Sequence, residues 1–171
     1  PRILIKEIFA YFMKDSEYRD YYTIDYDEKV KIRKKNYKDF IYKIFQKLNS
    51  FWKFDACISF NLFYFAENDL PEPFQRLGKK FFVLHKESVN SIEESIINLK
   101  TYSTMNKKFY GDKIAVYCEN EKKILIESRI LQEQQIEVTG CARTDYSYQL
   151  RDIHPNQNEL VYFMIENNRS G

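Results

Sequence analysis

Glycine is scarce in this chain, with 4 among 171 residues. None of Gly78, Gly111, Gly140 and Gly171 belongs to a GxGxxG fingerprint or a GxxxxGK[ST] loop. The usual backbone cradles for nucleotide phosphates are therefore missing from this sequence. Cysteine is sparse too. Cys57, Cys118 and Cys141 are odd in number and lack CxxC spacing, which argues against a zinc site and a disulfide framework. Buried, reduced thiols are the simple expectation. No apolar run approaches the roughly 20 residues that a membrane-crossing helix needs. Charge of either sign is not in excess, at 27 basic against 25 acidic residues, so no general affinity for polyanions and no nucleic-acid partner is expected. There is no internal repeat and no low-complexity tract.

Aromatic residues are abundant instead, with 14 Tyr, 14 Phe and 1 Trp. Beside so many Lys, Asn and Ile, they read as genome composition more than as a stacking platform. The informative pattern is a series of compact apolar runs that stop abruptly in polar residues. FDACISFN (residues 54–61), KKFFVLHKE (79–87), GDKIAVYCEN (111–120) and QIEVTG (135–140) each read as a buried parallel strand. Strands are expected at 56–60, 81–84, 114–117 and 136–139. Helical periodicity separates them. Asn68 or Asp69 is expected to cap a helix with Pro71 in its first turn, and Leu77-Gly78 to stop it. Ser91 and Glu94 form a capping-box pattern opening a helix to about residue 102. Residues 121–128 read as a short helix with Ile124 and Leu125 inward. Strands alternating with helices predict an α/β fold with a Rossmann-like parallel sheet.

Ahead of the first strand, Ile3, Ile5, Ile8, Phe9 and Phe12 have helical spacing. A long amphipathic helix is expected over 27–48, with Asp27 as cap and Val30, Ile32, Tyr37, Phe40, Ile41, Ile44, Phe45 and Leu48 on its apolar positions. Its basic run KVKIRKKNYK (29–38) reads as a solvated face, with contact to an anionic membrane surface as the alternative. The expected organisation is a helical region at 1–53, a Rossmann-like domain at 54–151, and at 152–171 a linker followed by the first strand of a further domain. The linker holds His154, read as structural, and the strand is the apolar run LVYFMI (160–165). The chain is accordingly expected to be part of a longer protein.

Candidate chemistry lies where strands end, since open α/β sheets bind ligands at their carboxyl edge. His85, Lys86 and Glu87 follow the second strand. His85 or Glu87 can serve as general base, with Lys86 stabilising a charged acceptor. The alternative is a surface turn with a local Lys–Glu pair. Asn61 and Tyr64, after the first strand, are expected to line the same cleft. In VTGCARTD (138–145), Gly140 permits close approach, and Arg143 suits phosphate or carboxylate recognition. Arg143 and Asp145 can equally pair with each other.

The succession GDKIAVYCENEKKILIES, then QIEVTGCARTD, resembles the segment that closes the first Rossmann-like domain of GT-B-fold glycosyltransferases. Bacterial surface-carbohydrate and capsule transferases, CDP-glycerol glycerophosphotransferases and UDP-N-acetylglucosamine 2-epimerases carry variants of it. Asp112, Val138, Thr139, Gly140, Arg143 and Asp145 carry the resemblance. The stretch at 54–88, with its aromatic strand end and VLHKE segment, is similar to the surface-carbohydrate group. Ala142 stands where the family has Pro, which loosens the turn.

The resemblance implies the N-terminal, acceptor-side half of a GT-B transferase in bacterial surface polysaccharide synthesis. A sugar-nucleotide or CDP-glycerol donor would be held mostly by a C-terminal domain. The acceptor would be a glycan or glycolipid. Location would be cytoplasmic, peripheral to the inner face of the cell membrane. No metal and no other cofactor is implied, and the fragment alone is expected to be inactive. The rival readings are a sugar-nucleotide 2-epimerase-like domain and a non-catalytic α/β interaction module.

Overall fold

The computed structural model describes residues 2–13, 28–86, 91–105 and 107–141, together with 145 and 149. Residues Pro1–Cys141 form one compact unit and Ala142–Gly171 a second. The expectations for Asp27, for the linker at 152–158 and for the apolar run at 160–165 lie outside the described residues.

Helix α1 spans Arg2–Phe12 and α2 spans Glu28–Phe51. Then β1 (Ala56–Ser59), α3 (Phe65–Asn68), α4 (Pro71–Arg76), β2 (Lys80–Leu84), α5 (Ile92–Thr104), β3 (Lys113–Val116), α6 (Glu119–Glu127) and β4 (Ile136–Val138) follow. A short 3-10 turn, Glu133–Gln135, leads into β4. The strands form one four-stranded sheet in the order β1-β2-β3-β4, and every pairing is parallel. The fold is therefore α/β with a Rossmann-like parallel sheet, as the apolar runs predict.

The punctuation residues act locally as expected. Ser91 and Glu94 close a capping box, with Glu94 N–H donating to Ser91 Oγ (3.2 Å) and Ser91 N–H to Glu94 Oε2 (2.8 Å). Gly78 ends α4 at φ +66, a conformation that disfavours a β-carbon. One expectation fails here. Leu70, not Asn68 or Asp69, is the N-cap of α4, because the extra short helix α3 takes up Asn68. With Pro71 at the first position there is one amide fewer for a cap to satisfy.

The order of the sheet determines its covering. Right-handed crossovers, the general rule for parallel units, put the connecting helices of an order without reversal on one face, and α4 and α6 pack against the strands there. On that face Phe81, Val83, Ile114, Val116 and Ile136 are buried. Phe74 of α4 packs on Phe81, their ring centroids 5.5 Å apart, and Ile124 and Leu125 of α6 are buried beside β3 and β4. Helices α1 and α2 form a second layer over α3 and α4, not over the strands. Lys38–Glu72 (2.5 Å) and Arg76–Asp39 (2.6 Å) fasten α2 to α4. Basic residues of the 29–38 run such as Lys29, Lys31 and Lys35 are exposed. Ile32 and Phe40, expected on the apolar face of α2, are turned outward, since Val30, Tyr37 and Ile41 suffice for its contact.

The other face of the sheet differs. Ile58, Phe60 and Leu84 are 56%, 59% and 47% exposed there. Lys80, Lys113 and Glu137 occupy its amino-terminal half, with Lys113 Nζ 2.5 Å from Glu137 Oε1. Among the described residues no helix covers this face. Parallel strands are usually apolar on both sides because both sides are covered. Here the apolar runs are present and one cover is not. The cysteines also depart from the expectation of buried thiols: Cys57, Cys118 and Cys141 are each only half-buried.

This one-sidedness has a direct consequence for stability. Phe81→Ala should cost about 3–5 kcal/mol, the usual penalty for emptying a packed aromatic site. Leu84→Ser, three residues on but facing outward, should change stability by less than about 1 kcal/mol. Urea unfolding of the two variants checks this, and equal losses would show that the outer face is covered.

Candidate functional site

The ladder continues past the strand ends and aligns them. Lys86 N–H donates to the Phe60 carbonyl (3.2 Å), His85 N–H to Ala115 (2.9 Å), and Thr139 N–H to Val116 (2.9 Å). Asn61, His85, Lys86 and Gly140 thereby share the carboxyl edge of one sheet. Gly140 has φ +74, and a β-carbon built there would meet nothing within 4 Å, so its surroundings are open. The strand order does not reverse, so the crevice that forms at a reversal in open α/β sheets is not found among the described strands.

The side chains along this edge differ in accessibility. His85 is 1% exposed. Its Nε2 lies 3.7 Å from Oε1 of Glu121, a fully buried carboxylate in the first turn of α6. A histidine so enclosed does not touch an acceptor in this conformation. Asn61 is buried as well, and its Oδ1 accepts from Phe63 N–H at 2.5 Å. This is an Asx turn that shapes the loop after β1. Tyr64 is half-buried, and Lys86 Nζ sits 5.5 Å from the centre of its ring. Both line a groove beside β1. Glu87 and Arg143 lie outside the described residues. Asp145 is helical and exposed, within the second unit.

Asp112, part of the pattern at the third strand, sits at the opposite, amino-terminal end of the sheet. It binds Lys80 Nζ (2.7 Å) and accepts Phe81 N–H (2.8 Å). Burial pushes its carboxyl up, but the bonds from Lys80 and Phe81, with the Lys80 charge, hold it below the usual carboxylate range. Its role is to pin β2 to the turn before β3.

Several buried polar groups have no signal in the sequence. Lys107, after α5, is 5% exposed, and its Nζ donates to the Leu62 carbonyl. The same ammonium lies 4.7 Å from the centre of the Phe63 ring. Phe63 stacks on Tyr102 at 4.4 Å and reaches His85 at 5.8 Å. Burial lowers the Lys107 pKa to about 7, against the opposing pull of Asp69. Ser59 Oγ donates to Glu67 Oε2 at 2.6 Å. Burial, with Glu67 nearby, pushes the Cys57 thiol up to about 11, which makes it a poor nucleophile. Tyr37 Oη donates to the Ala66 carbonyl at 2.5 Å, and burial, then Asp69 and Glu67, raise its pKa. The loop from Phe60 to Glu67 is thus fastened from beneath at three points, by Asn61, Lys107 and Tyr37.

Among the described residues, no three His, Cys, Asp or Glu side chains come together as a metal site. No described helix is long and apolar enough to cross a membrane. The class defined here is an α/β chain with a Rossmann-like parallel sheet and a polar carboxyl edge. No protein-family model matches the chain, and neither a curated protein nor a solved structure shows significant similarity to it.

The buried lysine predicts a pH dependence. The unfolded chain holds the Lys107 proton up to the ordinary lysine range, whereas the folded chain releases it near pH 7. Stability therefore rises with pH above 7. Between pH 6 and 8 the gain should be about 1 kcal/mol. In Lys107→Met this contribution should vanish. Urea midpoints at the two pH values measure it, and an unchanged slope in the variant would mean that Lys107 is not the titrating group.

Proposed function

We propose that this chain is the acceptor-side domain of a GT-B-type glycosyltransferase or glycerophosphotransferase acting in bacterial surface polysaccharide synthesis. The observation that carries the reading is the alignment of Asn61, His85-Lys86 and Thr139-Gly140 on the carboxyl edge of an all-parallel sheet. That edge is where such sheets present ligands. Lys86 is the cation suited to a charged acceptor, with Tyr64 beside it. Gly140 leaves room for an approaching group. His85 is enclosed with Glu121, and in this reading it positions the edge from below. Glu87, next to Lys86 in sequence, is the proposed base, and the VTGCARTD pattern makes Arg143 and Asp145 candidates for substrate recognition. The donor, a sugar nucleotide or CDP-glycerol, is bound mostly by another domain. The location is cytoplasmic, at the inner face of the membrane.

The uncovered apolar sheet face favours a second reading, a non-catalytic α/β module that docks to another protein. Titration separates the two. With acceptor-type glycans and phosphorylated glycans, amide shifts in a nitrogen-15 spectrum should move at Lys86, at Gly140 and at Tyr117, the residue just past the end of β3. Free sugar nucleotides should leave these amides still. Lys86→Ala should weaken binding of the charged glycans about tenfold while leaving the urea midpoint in place. Shifts confined to Ile58, Leu84 and Phe82, which lies beside Ile58 on the uncovered face, or tighter binding of the nucleotide alone, would sink the acceptor-side reading.

A further inference from the structure

We propose that two copies of this chain pair through β1, antiparallel across a two-fold axis, joining their sheets into one. β1 ends the strand order, so one of its sides meets no described strand. The ladder to β2 fixes which groups face that side. Asp55 gives its carbonyl to Lys80 N–H at 3.1 Å. Alternation along a strand then turns the N–H and C=O of Ala56 and Ile58 the other way. The next outward groups on either side are already used. Phe54 N–H donates to the Trp52 carbonyl (2.8 Å), and the Phe60 carbonyl accepts from Lys86 N–H (3.2 Å). What remains is a slot of two donors and two acceptors on Ala56 and Ile58. An extended backbone is the group that meets such a row.

A groove of about 470 Å³ runs along this edge. Ile5 of α1 and Leu70 wall it on one side, Ile58 and Phe60 on the other. A second copy fits the slot in one register. Ala56 of one copy pairs with Ile58 of the other, twice, and every outward group is matched. Registers centred on Ala56 or on Ile58 would call on Phe54 or Phe60, whose groups are spent. In the fitting register Cys57 faces Cys57 across the axis as the non-hydrogen-bonded pair, with Cα atoms about 4.5 Å apart.

Charge agrees with the antiparallel sense. It brings the amino end of one β1 beside the carboxyl end of the other. Lys53, exposed before β1, comes toward the second copy's Glu67, and Asp55, whose side chain is fully exposed, comes toward its Lys86. Ile58 and Phe60, both more than half exposed, gain apolar neighbours. The surface is self-complementary, as a two-fold interface requires. Tyr64 and Lys86 also line the groove that the second copy fills, so pairing and an acceptor would compete there; sedimentation reads the dimer and amide shifts with glycans read the acceptor site, so either can fail alone.

Sedimentation velocity of the 171-residue chain over a wide concentration range tests the dimer. A reversible monomer–dimer equilibrium is expected. Ile58→Pro removes an N–H that points away from β2, so the sheet within each copy keeps its bonds. It should weaken association by about tenfold or more. Ile58→Lys places a charge on the edge and should do the same. Circular dichroism and urea midpoints confirm that each variant is folded. The register is read in a Cys118→Ser, Cys141→Ser chain that keeps Cys57. Copper(II)–phenanthroline takes two electrons from two thiols, with release of two protons, and should give a disulfide-linked dimer. The expected spacing lies at the short end of the roughly 4.4–6.8 Å that a disulfide spans. A monomer at every concentration overturns the proposal, including one in which Ala56 and Ile58 amides are protected by another segment of the same chain. A dimer that both Ile58 variants leave intact, or one that Cys57 does not link, overturns it as well.

Discussion

The unreversed order of the parallel strands is the constraint on which this structure rests. Four strands laid down side by side without reversal leave the connecting helices one face to occupy. The core follows from that. Phe74, Phe81, Val83, Ile114, Val116 and Leu125 meet on the covered face, and Ile136 closes it. The remaining helices, α1 and α2, have no exposed strand within reach on that side, so they pack on α3 and α4 through Phe9, Tyr37, Phe45 and Phe74. The opposite face keeps its β-branched and aromatic residues and lacks a partner among the described residues. A single topological fact thus separates a stabilised interior from an apolar surface within the same strands.

A second constraint is the buried polar cluster under the loop after β1. Enclosing Lys107, His85 and Glu121 together is costly unless their interactions offset the lost hydration. The Lys107 bond to the Leu62 carbonyl and its position over Phe63 supply part of that compensation. Such a cluster adds little net stability but strongly disfavours alternative placements, because moving one member strands the others. The loop it fixes supplies Tyr64 and Glu67 to the carboxyl end of β1. The geometry of the polar edge therefore depends on groups that no ligand on that edge would contact.

The legible part of this fold was local. Apolar runs ending in polar residues marked the four strands, and Gly78, Ser91 and Glu94 marked helix ends through backbone chemistry that acts within a few residues. What was not legible joins distant positions. Glu121 reads in sequence as one more charge in ENEKK, and Lys107 as one more lysine before KF, yet both are buried. Only the tertiary packing that brings Glu121 of α6 against His85, and Lys107 under the loop after β1, reveals them. The polar strand-end residues were found, but their accessibility was not. His85 and Asn61 turn inward where Lys86 stays at the rim. Hydrophobicity also misled in one respect. Apolar residues on both sides of Phe81–Leu84 read as burial on both sides, whereas composition says only that a cover would be favourable, not that it is present.

That asymmetry explains why the candidate surfaces are distinct. The carboxyl edge is polar and shaped by directed bonds, which suits recognition of a small, hydroxyl-rich or charged group. The β1 side offers a row of backbone donors and acceptors between apolar walls, which suits another strand. The two meet at Lys86, whose N–H ends the ladder at Phe60 and whose ammonium lies beside Tyr64. A partner added at β1 would extend the sheet laterally without crossing its strand ends. Tyr64 and Lys86 belong to both surfaces, so a strand paired at β1 would leave a ligand the ends of β3 and β4 alone.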